Sequence, residues 1–100
     1  MHVLALRVEL HLPGVRSLKE KRSLLRPLLD GGRNRFPVSM AEVGHQDSHK
    51  RAAIGVSVVS GSATKAAEVI DGVERFVWTL PDIEVVSAGR EWMDMDGLGG

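Results

Sequence analysis

One hundred residues with thirteen basic and thirteen acidic side chains, 43% apolar residues and no cysteine describe one small domain near neutrality. This excludes a disulfide framework and thiolate chemistry and suits a reducing compartment. No run approaches the ~18 apolar residues of a membrane span. Arg7, Glu9 and His11 interrupt the N-terminal apolar stretch as no signal peptide does, so a cytoplasmic location is expected.

The segment from Val3 to Leu12 alternates. Leu4, Leu6, Val8, Leu10 and Leu12 share one face, as in a strand with one side covered, and Pro13-Gly14 ends it. Ser17-Leu18-Lys19-Glu20 is a capping box. The residues after it place Leu18, Leu25, Leu28, Leu29 and Phe36 on one helical face. The spacing predicts a helix from about Leu18 to about Arg33, with a kink or early end at Pro27 or Gly31-Gly32. Val38 to His45 and Arg51 to Ser60 read as strands joined by the polar loop His45 to Lys50. Ser60-Gly61-Ser62 caps a second helix, Ala63 to about Thr79, with the stripe Ala66, Val69, Ile70, Val73, Phe76, Val77 and Leu80. Ile83 to about Met93 is a last strand.

The order is βαββαβ, an α+β, ferredoxin-like arrangement: a four-stranded antiparallel sheet with two helices on one face. A single domain over residues 1–93 with a flexible tail over 94–100 is expected.

Net neutrality hides an asymmetry. Arg16 to Arg35 holds seven basic residues against Glu20 and Asp30, whereas Ala66 to Gly100 holds Arg75 and Arg90 against eight acids. Lys19, Arg22, Arg26 and Arg33 fall on one flank of the first helix, with Lys21 and Arg35 on the other. Lys19, Lys21, Arg22, Arg26 and Arg33 are therefore the expected nucleic-acid-binding set, to be weighed against a plain solvated helix face.

The uncovered sheet face offers small residues and no base-stacking aromatic on its central strands, which argues against the RNA-recognition-motif mode. Ala5, Ala53, Gly55, Ser57, Val86 and Ala88 are its expected contact residues in a homo-oligomer. Trp78 and Trp92 fall at the margins of their elements, where a tryptophan either laps over the core or anchors an interface. His45, Asp47 and His49 are metal-ligand types, but a hairpin loop does not align them, so no metal site and no cofactor are expected. Nor is an enzyme. No nucleophile elbow, Walker loop or dinucleotide fingerprint occurs, and Arg16 and Asn34 only echo the small phosphatases that share this fold.

Ser17-Leu18-Lys19-Glu20-Lys21-Arg22-Ser23, Arg35-Phe36, Ser39, Ala41-Glu42-Val43-Gly44, Asp47 and Arg51-Ala52 resemble the YlxP-like family, short bacterial proteins grouped as a domain of unknown function. The likeness runs to about Arg90. It implies a ferredoxin-like fold and a role beside RNA or the ribosome, and supplies no catalytic residue. His49 and Pro37 stand where many relatives carry an aromatic and an asparagine. Two classes of function follow. One is a non-enzymatic module for RNA or a ribosomal particle, using the basic helix. The other is a homo-oligomeric or small-molecule regulatory domain, using the open sheet face.

Overall fold

The computed structural model describes residues 1–95. Its elements are β1 (His2–His11), α1 (Leu18–Arg35), β2 (Ser39–Gly44), β3 (Arg51–Ser60), α2 (Ala63–Trp78) and β4 (Glu84–Asp94). The strands form one antiparallel sheet in the order β2-β3-β1-β4, and both helices pack on the same face. Asp94 still belongs to β4, opposite His2, so the strand enters the expected tail. The rest of that tail, residues 96–100, lies outside the described residues.

Both helices begin where their caps stand. Ser17 Oγ accepts from the Glu20 amide at 3.1 Å, and Glu20 Oε2 accepts from the Arg16 amide at 2.8 Å. Ser62 Oγ accepts from the Lys65 amide at 3.2 Å. Each cap satisfies a donor that the helix itself leaves open.

The alternation of β1 puts Leu4, Leu6, Val8 and Leu10 beneath the helices. They meet Leu25 and Leu28 of α1, Ile54, Val56 and Val58 of β3, and Ala66, Ile70, Val73 and Val77 of α2. Leu29 packs at the margin.

α1 does not end early. It runs unbroken through Pro27 and Gly31-Gly32 to Arg35. The glycines are there for packing. A Cβ on Gly31 would stand 2.8 Å from Phe76 Cζ, and one on Gly32 would overlap Met40 Sδ. From the other helix, a Cβ on Gly72 would meet Phe36 Cε1 at 2.8 Å. Phe36 and Phe76, with ring centroids 6.1 Å apart, thus seat between glycines of both helices.

Candidate nucleic-acid interface

The first turns of α1 separate the basic residues into two populations. Lys19, Arg22 and Arg26 are exposed, and among the described residues none of the three has an ion-pair or hydrogen-bond partner. Steps of three and four residues place them about 4.5 and 6 Å apart along the helix. Arg22, Arg26 and Arg33 line a groove of about 320 Å³ with Leu25, Leu29, Asp30 and Glu42, between α1 and the edge strand β2. Its two acids are already engaged. Glu42 faces Lys21, and Asp30 Oδ1 lies 3.7 Å from Arg33 Nη1. Arg22 and Arg26 therefore leave a local positive potential that no neighbour cancels.

Lys21 departs from the expected set. Its side chain is only 2% exposed. Nζ donates to the carbonyls of His45 (2.8 Å) and Ser48 (2.6 Å) and stands 2.6 Å from Glu42 Oε2. The ammonium lies inside the molecule, holding the β2–β3 loop to α1, and cannot reach a phosphate. The spacing contained the signal. Lys21, Leu25, Leu28 and Gly32 step by four, three and four residues, so Lys21 lies on the inward line itself, whereas Leu18, expected on that face, is exposed. The ion pair also joins two segments on which the family resemblance rests, Ser17–Ser23 and Ala41–Gly44.

Arg33 is only partly available. Its Nε and Nη2 both donate to the Met40 carbonyl, at 2.9 and 2.6 Å, and so cap the outer edge of β2. Arg35 lies over the Phe76 ring, 4.6 Å from the centroid. Arg16 and Asn34 flank opposite ends of α1, roughly 25 Å apart at 1.5 Å per residue, and form no common site.

The open sheet face differs from its expected outline. Ala5 and Ser57 sit opposite each other on it. Ala53 is fully buried, and Gly55 is covered: a Cβ there would meet Val43 Cγ1 at 2.8 Å. Ala88 is on the other face. It pairs with Val8, while Ser87 pairs with Glu9 and Gly89 with Arg7. The register shift opposite Glu9 and Leu10 leaves Val86 as an extra residue, and one extra residue reverses the phase of every side chain beyond it. Alternation read through that point therefore fails.

A trough of about 860 Å³ crosses this face, lined by Ala5, Arg7, Ser57, Gly89 and Glu91 among others. At one side Arg7 Nε donates to Glu9 Oε1 at 3.0 Å, and His45 Nε2 stands 2.8 Å from Glu9 Oε2. The Arg7 hydrogen bond, opposed by desolvation and reinforced by His45, holds the Glu9 carboxyl below its ordinary 4.5.

His45 thus turns to a carboxylate on β1. Among the described residues no three His, Cys, Asp or Glu side chains gather as a metal site. Trp92 meets His2 edge-on, with centroids 6.5 Å apart, and Trp78 stands 64% exposed at the end of α2. Among the described residues no helix is long and apolar enough to cross a membrane.

Comparison with known proteins agrees with this architecture. Residues 3–90 match the family described as "Protein of unknown function (DUF503)". The chain is 37% identical to the uncharacterized protein YlxP of Bacillus subtilis (strain 168) over 76 residues, 76% of this chain and 83% of that one. Two solved structures share the fold at low identity. One is a C-terminal segment of the alpha subunit of aIF2 from Pyrococcus abyssi, with TM-score 0.50 and 12% identity. That match covers 95% of this chain but only 52% of the other. The second is a de novo designed protein with ferredoxin fold, with TM-score 0.53 and 13% identity, covering 100% of this chain and 92% of the design.

Proposed function

This chain belongs to the DUF503 family of proteins of unknown function, and we propose that it acts as a non-enzymatic binding module that holds RNA, free or in a ribosomal particle, against α1. The observation that carries this reading is the row Lys19, Arg22 and Arg26, exposed and without side-chain partners among the described residues, of which Arg22 and Arg26 line a groove whose own acids are taken. Cations left unpaired on a rigid helix can meet successive phosphates and release counterions. Arg33 borders the same groove with part of its guanidinium in use, and Lys21 supports the site from within. Contacts of this kind to phosphates position a chain without reading base edges, so binding through them depends little on sequence.

The test compares the parent with the double variant Arg22→Glu, Arg26→Glu for binding to ribosomal particles and to single-stranded and duplex RNA, at low and at physiological salt. The expected result is salt-sensitive binding by the parent and weakened binding by the variant to every RNA sequence. Equal binding by the two proteins, or no salt-dependent binding by the parent, removes the reading.

A second reading rests on the trough of the open sheet face. Its size, and the paired charges Arg7 and Glu9 beside it, suit a small polar effector in a regulatory domain. Arg7→Ala should then abolish binding of such an effector and leave RNA binding intact.

A further inference from the structure

Arg33 is pinned by its rim. Nε and Nη2 donate to the Met40 carbonyl at 2.9 and 2.6 Å, and Nη1 faces Asp30 Oδ1 at 3.7 Å. All three nitrogens are thus turned to oxygens of the same chain, yet the side chain stays 46% exposed. With its rim engaged, what the guanidinium still offers a ligand is its flat face, and such faces stack on aromatic rings. The plane is held before any ligand arrives, so stacking on it costs little side-chain freedom.

This plane borders the groove between α1 and β2. Arg22 and Arg26 stand one helical turn apart on the same groove, and Arg33 follows Arg26 by roughly 10 Å along the axis. Leu25, buried, and Leu29, at the core margin, give the groove an apolar floor. Its volume of about 320 Å³ lies at the lower end of the roughly 300–1,000 Å³ of small-ligand sites.

We propose that this groove seats one unpaired nucleobase of an RNA strand, stacked on the Arg33 guanidinium over Leu25 and Leu29, with Arg22 and Arg26 on neighbouring phosphates. The site rests on the RNA reading above and adds to it that the bound strand is single.

The chemistry of the groove favours this occupant. A nucleobase has an apolar face and carries a phosphate to either side of it. The groove sets an apolar floor beside two cations that have no side-chain partner among the described residues. In a duplex each base is already stacked within its helix and has no face to give, so a duplex meets Arg22 and Arg26 but not the plane of Arg33. An extended acidic peptide is the competing occupant, because β2 is an edge strand beside the groove. Arg33 works against it, since its two hydrogen bonds occupy the outward Met40 carbonyl that an added strand would use. Stacking accepts any base, so the weak dependence on sequence is kept.

The test measures binding of the full chain, at physiological salt, to a single-stranded RNA, to the same strand with abasic sugars in place of its nucleotides, and to a duplex of equal phosphate number. The parent should hold the single strand about tenfold more tightly than the abasic strand, the worth of one stacked base, and more tightly than the duplex. Arg33→Lys keeps the charge and loses the plane. It should bind the single strand and the abasic strand equally and leave duplex affinity at the parent value. No salt-dependent RNA binding by the parent overturns this site together with the RNA reading. Salt-dependent binding that is lost in Arg22→Glu, Arg26→Glu but is equal for the single strand and its abasic form leaves the RNA reading standing and overturns the base seat. A duplex bound as tightly as the single strand, or an Arg33→Lys protein that keeps the parent's preference, does the same. A poly-glutamate peptide bound more tightly than the single strand overturns it in favour of strand addition at β2. If Arg33→Lys fails to fold, the abasic comparison in the parent decides.

Discussion

Lys21 sets the terms at the scale of single residues. A charge in the interior is tolerated only when polar groups replace its water, and here two carbonyls and one carboxylate do so. Lys21→Met should therefore destabilise the fold by about 3–5 kcal/mol, the usual cost of breaking a buried pair from one side. Urea unfolding measures it. A loss under about 0.5 kcal/mol, the size of an ordinary surface substitution, would show that the ammonium contributes nothing net. Glu9 gives a pH signature. Its carboxyl is depressed in the folded state by Arg7 first and then His45, against desolvation. Such a group adds stability above its unfolded pKa and loses it as pH falls through the lower folded value. Glu9→Gln should be less stable than the parent at neutral pH, and the gap should begin to narrow as pH falls below the ordinary carboxyl value of 4.5 and close once it falls below the lower folded value. A gap that persists in acid would point to packing instead. Lys19, Arg22 and Arg26 were legible from the sequence as exposed cations, because a helical flank needs only the period. The contact of Glu9 with His45 was not legible, since it depends on a loop residue at φ 58 returning over the sheet.

At the scale of elements, period-2 and period-3.6 stripes were enough to place all six segments, because each element buries one continuous face. They failed where a local rule yielded to packing. Gly31-Gly32 looks like a helix stop, but it is the seat that lets Phe76 and Met40 close on α1. This gives opposed terms whose sum can be tested. Gly31→Ala gains about 1 kcal/mol of helix propensity. It must also push back the Phe76 ring, which stands 2.8 Å from the new Cβ, and overpacking of this kind costs about 1–3 kcal/mol. Phe76 is buried and already meets Phe36, so the second effect should win and thermal unfolding should come at lower temperature. A stabilised variant would mean that the ring moves aside at no cost. The bulge of β4 is the other failure. A one-residue insertion leaves no mark in hydropathy, and it is what carries Ala88 to the helix side.

Over the whole molecule, the charge asymmetry noted in sequence becomes a division of labour. Among the described residues the exposed cations Lys19, Arg22 and Arg26 of α1 have no ion-pair partner, while Asp71 and Glu74 of α2 are spent on Arg90. If RNA meets Lys19, Arg22 and Arg26, its affinity should fall with salt at a log–log slope of about −2 to −3, from the single-strand to the duplex value per phosphate. The double reversal at Arg22 and Arg26 should bring that slope close to zero while leaving the melting temperature unchanged, since both side chains stand off the core. A parent slope near zero would detach function from α1. The sheet order has a mechanical consequence too. β1 and β4 are antiparallel neighbours, His2 lies opposite Asp94, and the Met95 amide donates to the Met1 carbonyl at 2.9 Å. Tension applied between residues 1 and 95 would therefore load the β1–β4 ladder at a single rung and peel it like a zipper, one pair after another. The same strands pulled lengthwise, past each other, would have to break many rungs together. A domain so connected yields readily to a pull between residues 1 and 95.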